Sequence, residues 1–321
     1  MIKCIICKTE KPSEYFTEEH IFPESIGGTL TLNSVCKECN DFLGHSVDSH
    51  LVNHFIVELA RSNLKISGKT NKIPNPLEQG TLTDDPLQQV KYRCDQDGEP
   101  IGLYIVTKFQ GDIIKDGGIK ITVDKTDRDK LPSMIDKMLK RRKLSKEKIA
   151  QRSKEISSSP YVSVKLQVDT IKYKRAILKI AYELAYYWLG DAYLSDSTGE
   201  MLRCCIRDKS LQGDWAVKYP TIKANIKFLG ENPESPLWEM WDNEPHSHVA
   251  ILRPIHDGIV CGVRIFNIFE GIVLVSEDLL SYPDFSKGDS PGNFIAINSQ
   301  TGEKRESNFY EEIERIEKQI G

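Results

Sequence analysis

Four cysteines near the N-terminus have the spacing of a zinc site. They form two C-x-x-C pairs, Cys4 with Cys7 and Cys36 with Cys39, separated by 28 residues. Each pair can present two thiolates to one tetrahedral Zn²⁺, and four thiolates leave no open position for a reacting water. We therefore predict that the four side chains bind a structural zinc. The alternative, a redox dithiol in one pair, would need a βαβ setting that the sequence does not indicate.

The segment between the two pairs contains residues suited to phosphodiester hydrolysis. It reads TEEHIFPESIGG over residues 17–28, and NDFLG follows the second pair over residues 40–44. Hydrolysis of a phosphodiester needs an activated water and a cation that stabilises charge on the phosphate and the leaving oxygen. A histidine is partly neutral at cellular pH and can accept a proton from water. His20 is therefore the candidate base, and a purely structural histidine is the alternative.

Together these motifs resemble the HNH nuclease family. The matching pattern is an acidic residue and a His, then Ile-x-Pro, a Gly-Gly turn, an Asn about a dozen residues on, and a C-x-x-C-N ending. The resemblance covers residues 4–56. It implies a ββα-metal fold, in which a hairpin and a helix surround one catalytic divalent cation, and an activity that cleaves DNA.

The resemblance also implies roles for single residues. His20 matches the general base, and Asn33 matches the middle Asn, which holds the hairpin loop and orients the His. Glu19 occupies the position of a metal ligand, for which Glu18 competes, and Asn40 would complete the metal site. The signature thus reads H-N-N. Oxygen ligands of this kind favour Mg²⁺ or Mn²⁺ as the catalytic cation.

Three further histidines follow the second cysteine pair: His45, His50 and His54. His50 and His54 are four residues apart and would share one face of a helix, as a second pair of metal ligands could. No third ligand is evident in the sequence. We therefore favour phosphate contacts or an ordinary surface role for them, and we expect Asp48 to cap or brace the helix.

A basic segment is the candidate surface for nucleic acid. Residues 128–154 contain eleven Lys or Arg against three acidic residues, in a chain whose net charge is −4. Such a segment could follow a phosphate backbone, each contact adding salt-dependent affinity. Lys140, Arg141, Arg142 and Lys143 form its densest part. A solvated helix face is the alternative.

The elements that must position these residues suggest an α+β protein. The chain has 321 residues, 39% of them hydrophobic and 28% charged, which is typical of a folded protein with about two domains. We predict an HNH module with its zinc over residues 1–62, a linker or long connection over 63–86, and an α+β domain with antiparallel strands over 87–321. Helices are predicted from Leu131, over residues 173–189, over 199–207 and over 307–320. Strands are predicted near residues 90–94, 102–109, 118–125, 161–171, 248–254, 258–266 and 271–277.

The sequence therefore predicts a metal-dependent HNH endonuclease that acts on DNA, with double-stranded DNA as the expected partner. Family resemblance suggests restriction or anti-phage defence, with the C-terminal domain directing or gating cleavage. Two alternatives are a non-catalytic, zinc-dependent DNA-binding protein and an effector nuclease that needs a small-molecule or protein activator; an oligomer is left open. We expect a cytoplasmic protein without membrane contact, because the sequence contains neither an export signal nor a long apolar run.

Overall fold

The computed structural model begins with a cysteine turn enclosed by two short strands. β1 (Ile2–Lys3) pairs with β2 (Glu10–Lys11), and the first cysteine pair lies in the turn between them. The structure describes residues 1–68, 71–111, 119–143, 161–166, 168–228, 244, 246–286 and 290–320. All strand pairs within these residues are antiparallel.

A hairpin followed directly by a helix occupies the next segment. β3 (Phe16–His20) pairs with β4 (Thr31–Cys36), and α1 (Lys37–Leu43) begins at the following residue. The helical path continues through a π-helical turn over Gly44–Asp48 into α2 (Ser49–Val52). Leu43, Val47 and Leu51 recur every four residues and are buried, so one face of this helical path lies in the core. The strand, strand and helix order agrees with the predicted ββα module.

The chain divides into two compact units. One comprises Met1–Pro74 and Gln167–Gly321, and the other comprises Asn75–Leu166. This division differs from the predicted boundaries at residues 62 and 86, because the segment after residue 166 shares a hydrophobic core with the N-terminal module.

The second unit consists of small antiparallel sheets and one helix. Its four-stranded sheet has the order β10-β5-β6-β7, and β8 and β9 form a separate pair. The helix α4 starts at Leu131 with a proline in its first turn, as predicted. The bounds are β5 (Gln79–Leu82), β6 (Gln89–Cys94), β7 (Pro100–Ile105), β8 (Lys108–Gln110), β9 (Lys120–Thr122), α4 (Leu131–Arg142) and β10 (Val162–Ser163).

The first unit is completed by a buried helix and a six-stranded sheet of order β11-β14-β13-β12-β15-β16. The helices of this unit after α2 are α3 (Phe55–Leu64), α5 (Tyr173–Leu189), α6 (Ser197–Arg207), α7 (Trp215–Lys218), α8 (Pro283–Ser286) and α9 (Phe309–Ile320). Its sheet strands are β11 (Ala224–Phe228), β12 (Ser247–Ile255), β13 (Gly258–Ile265), β14 (Phe269–Ser276), β15 (Asn293–Asn298) and β16 (Lys304–Ser307).

Helix α5 lies at the centre of this unit. Its residues from Arg175 to Ala185 are all buried, as expected for the most apolar helix of the chain. A Cβ atom on Gly271 of β14 would lie 2.5 Å from Ile177 Cγ2, so a glycine is needed for the close approach of helix and sheet. No helix among the described residues is both long and apolar enough to cross a lipid bilayer.

Candidate functional site

The four N-terminal cysteines converge as a metal site. Their sulfur atoms all lie within 4.8 Å of one another, and Cys7 Sγ is 3.9 Å from Cys36 Sγ. Tetrahedral zinc with bonds of about 2.3 Å separates its sulfurs by about 3.8 Å, so the donor set fits Zn²⁺. This is the one group of three or more His, Cys, Asp or Glu ligands that could hold a metal within the part of the chain that the structure describes.

Groups around the cysteines favour thiolates. The backbone N–H of Cys36 donates to Cys4 Sγ at 3.3 Å, and Lys11 Nζ donates to Cys36 Sγ at 3.2 Å. The hydrogen bond between Cys4 and Cys39 lowers the pKa of the Cys4 thiol and raises that of the Cys39 thiol, so within this pair it favours the thiolate only at Cys4. The hydrogen bond with Cys36 raises the pKa of the Lys11 ammonium, which therefore stays charged. A positive charge beside four thiolates offsets part of their negative charge and supports the structural zinc.

His20 and Asn40 lie on neighbouring elements of the same module. His20 is the last residue of β3, pairs with Thr31 of β4 and is partly exposed. Asn40 lies on α1, and its Nδ2 donates to the Glu18 carbonyl oxygen at 2.8 Å and to Thr17 Oγ1 at 3.1 Å. Because a carbonyl can only accept, these bonds fix the amide with its nitrogen toward β3. The Oδ1 atom of Asn40 is then the atom available as a metal ligand.

The structure does not place Glu19 on the same face of β3 as His20. Successive side chains of a strand point to opposite faces. Glu19 is only 3% exposed, and its Oε1 lies 2.6 Å from the ammonium of Lys179. This position argues against the predicted role of Glu19 as a cation ligand, because its carboxylate is already engaged with a buried cation. Glu18, the competing candidate, is exposed.

Lys179 is the centre of a buried charged cluster. The Lys179 cluster is defined by four residues: Glu19, Asp48, Lys179 and Glu183. Besides contacting Glu19, Lys179 Nζ lies 3.3 Å from Asp48 Oδ2 and 3.1 Å from Glu183 Oε2. The motifs singled out in the sequence do not include this cluster, although a Lys and a Glu four residues apart inside an otherwise apolar helix indicate a buried ion pair.

Protonation within the Lys179 cluster follows from its burial. Burial by itself would lower the pKa of Lys179, but the surrounding carboxylates outweigh it and raise the pKa well above the ordinary value. Burial is also the main reason why the pKa of Glu183 is raised well above its ordinary value. Both shifts favour the protonated forms of the two side chains, and this direction reduces the excess of negative charge in the core.

The loop between β3 and β4 packs against the C-terminal sheet. His248 of β12 is fully buried, stacks on Phe22 at 5.6 Å and donates from Nε2 to the Ile26 carbonyl at 2.8 Å. Burial lowers the pKa of His248 to about 4, so the ring is neutral. A Cβ on Gly27, whose φ is +89°, would lie 2.1 Å from the Ser299 carbonyl oxygen. Gly27 is thus required by contact with a residue far along the sequence, whereas a Cβ on Gly28 would lie 1.9 Å from the Phe22 carbonyl oxygen of the same loop.

The remaining site predictions have different outcomes. Asn33 is exposed on β4, and hydrogen bonds of the backbone, from Ile21 to Leu30 and from Gly28 to Pro23, close the hairpin loop. His50 and His54 do not share a helix face, because α2 ends at Val52 and His54 precedes α3. His54 is buried and donates from Nε2 to the Asp169 carbonyl at 3.0 Å, which is a structural role.

The basic segment is described only in part. Lys140, Arg141, Arg142 and Lys143 are exposed at the end of α4, while Leu139 is buried on its apolar face. Residues 144–154 of the segment lie outside the described residues. The exposed charges are compatible with phosphate contacts, and their role stays a prediction.

Comparison with protein families gives one match. Residues 4–56 match the HNH endonuclease family, and this range contains both cysteine pairs, β3, β4, α1 and α2. No curated protein and no solved structure matches the chain. The match excludes α5 and the C-terminal sheet, although these elements share the core of the first unit. Over residues 4–56 the chain is therefore similar to HNH endonucleases, which confirms the resemblance seen in its sequence.

Proposed function

We propose that this protein is a metal-dependent endonuclease that hydrolyses phosphodiester bonds of DNA. The observation that carries this proposal is that His20 and Asn40 lie on neighbouring elements of one module, the hairpin of β3 and β4 followed by α1. Strand β4 of this module ends at Cys36, one of the four cysteines of the zinc site. Asn40 binds the backbone of β3 two residues before His20. This contact supports the proposal, because it lies beside the proposed base in the module that matches the nuclease family.

In this proposal His20 accepts the proton of the attacking water, and Asn40 presents Oδ1 toward a divalent cation. The cation would stabilise the negative charge that develops on the phosphate and the leaving oxygen. Mg²⁺ and Mn²⁺ suit the site, because such ions are commonly held by few protein oxygens together with substrate phosphate and water. Asn33 stays a proposed positioning residue, and Glu18 replaces Glu19 as the candidate acidic ligand.

The proposed substrate is double-stranded DNA, with the basic end of α4 as a phosphate-binding surface. The C-terminal segment is proposed to direct or gate cleavage, alone or through an activator, in a cytoplasmic protein of restriction or anti-phage defence. The supporting observation is that two residues of this segment contact the hairpin of β3 and β4. His248 donates to the Ile26 carbonyl, and Lys179 donates to the His20 carbonyl.

Plasmid cleavage by the purified full chain tests the proposal. Supercoiled DNA is incubated with Mg²⁺, with Mn²⁺, or with a chelator added after purification. We expect nicked and linear products with a divalent cation and none with the chelator. Binding of the plasmid without cleavage under any of the metal conditions would favour the alternative of a non-catalytic DNA-binding protein.

A further inference from the structure

We propose that Lys179, on helix α5 and outside the family match, is a positioning residue of the nuclease site. This inference rests on the proposed function, because it concerns how the chain orients His20. The family match ends at residue 56, whereas the helix that carries Lys179 covers Tyr173–Leu189. The nuclease module would therefore be completed by a segment that its own motif does not contain.

The first observation concerns the strand that carries the base. Lys179 Nζ donates to the His20 carbonyl oxygen at 2.8 Å and to the Ile21 carbonyl oxygen at 3.3 Å. The same ammonium contacts the Glu19 carboxylate at 2.6 Å. One side chain thus contacts three consecutive residues, Glu19, His20 and Ile21, where β3 ends. The middle residue, His20, is the proposed base.

The second observation concerns the helical path of the same module. Lys179 Nζ also donates to Asp48 Oδ2 at 3.3 Å, and Asp48 ends the π-helical turn that follows α1. The ammonium therefore binds both the strand that carries His20 and the helical path that carries Asn40. In this proposal the link adds to the direct bonds of Asn40 with β3 in holding the base close to the candidate metal ligand.

The third observation is that the contact is wholly enclosed. The side chain of Lys179 is 0% exposed, and Glu183 is 0% exposed beside it. Burying a charge is unfavourable unless its partners are well placed, and apolar residues of similar size often stabilise a core equally well. A lysine that satisfies two backbone carbonyls and several carboxylates therefore supplies a fixed geometry that an apolar side chain cannot supply.

Lys179→Arg tests this role. Lys179→Met would leave carboxylates unpaired in the core and is expected to unfold the protein, whereas Arg keeps the charge but is longer and planar. The matched control is Lys174→Arg, the same substitution at a partly exposed position of the same helix. We expect Lys179→Arg to lower kcat for DNA cleavage about 10- to 100-fold with little change in KM, because small displacements of reacting groups reduce rates on this scale. Lys174→Arg should stay close to the wild type.

The NMR signal of the His20 imidazole gives a readout that does not need cleavage. Its resonance, assigned with His20→Ala, should shift in Lys179→Arg and not in Lys174→Arg. If Lys179→Arg does not fold, Glu19→Gln removes the same ion pair from the side of β3. It should give the same shift of the His20 signal and the same loss of kcat. The dependence of the cleavage rate on Mn²⁺ concentration should not change.

Two results would overturn the inference. One is an unshifted His20 signal with a wild-type kcat in the variant that folds. The other is an equal loss of kcat in Lys174→Arg, which would show that the loss reflects a general change in α5 and not the contacts of Lys179. A wild-type protein that cleaves no DNA would instead reject the proposed function, and the His20 signal would still test whether Lys179 positions the ring.

Discussion

At the scale of single residues, the two glutamates before His20 have different environments. Glu18 is exposed and Glu19 is buried against Lys179. Their order in the motif favours Glu19 as the ligand, but the register of β3 and β4 shifts between Thr17 and Glu19. Such an irregularity decides which side chain faces the core. The sequence predicts the identity of the base candidate, but it cannot predict the direction of the acidic side chains.

Asn40 allows a test of the cation site. Asn40→Ala should reduce cleavage about 10- to 100-fold, as is typical when a group that supports a metal site is removed. Raising the Mg²⁺ or Mn²⁺ concentration should restore part of the rate, because weakened metal binding is overcome by mass action. Asn53→Ala, at an exposed helix end, is the control. A decrease that no metal concentration relieves would indicate that Asn40 serves only to hold β3 through Glu18.

His248 predicts a pH dependence of stability. Its pKa falls from 6.5 to about 4 on folding, because burial disfavours the charged ring. Below pH 6.5 the unfolded chain binds more protons than the native one at this site, so stability is lost as pH falls toward 4. The site should remove about 2 kcal/mol between pH 7 and pH 5. Urea unfolding at both pH values should show a smaller decrease for His248→Gln, and an equal decrease would contradict the assignment.

At the scale of elements, periodicity predicts helices better than short strands. The apolar stripe of α4 and the apolar run of α5 indicate helices, and the structure has both from the predicted first residue. The sequence over residues 63–86 predicts a connection, yet this segment contains β5. β5 is short and pairs with β6 and β10, the latter about eighty residues away, so its stability depends on partners that local patterns do not reveal.

The basic end of α4 allows a test of DNA binding. Replacing Lys140, Arg141, Arg142 and Lys143 together by Gln should weaken binding to all duplex sequences alike. The slope of log K against log salt should fall by about 0.9 for each phosphate that the variant no longer neutralises. Folding should hardly change, since Leu139 and the apolar face of α4 stay in place. An unchanged salt slope in fluorescence anisotropy titrations would identify this end of α4 as a solvated surface.

At the scale of the whole molecule, the N-terminal module with its four cysteines and the C-terminal elements form one compact unit. Tyr182 of α5 donates to the Ile5 carbonyl at 2.7 Å, and Arg203 of α6 donates to the Ile6 carbonyl at 2.6 Å. Both carbonyls lie between the first two cysteines. The sequence indicates the zinc site, but the partners of its turn come from helices that are distant in the chain, and no local motif predicts them.

Zinc removal should therefore destabilise α5 and α6 as well as the N-terminal module. Cys36→Ser, or a strong chelator, is expected to reduce amide protection in residues 1–64 and also in α5 and α6, because structural zinc contributes directly to folding. The sheet of the second unit, β6 with β7, is the internal control and should keep its protection. Hydrogen exchange read by mass spectrometry measures all of these segments together. Loosening confined to residues 1–64 would show that the module folds separately.

The most direct test of the proposed activity compares His20→Ala with the wild type on one duplex at one salt concentration. His256→Ala, in the exposed turn between β12 and β13, controls for removal of a histidine. We expect His20→Ala to bind DNA and zinc like the wild type and to cleave about 10²- to 10⁴-fold more slowly, as is typical when a general base is removed. Cleavage by His20→Ala at the rate of the wild type and of His256→Ala would contradict the central assignment.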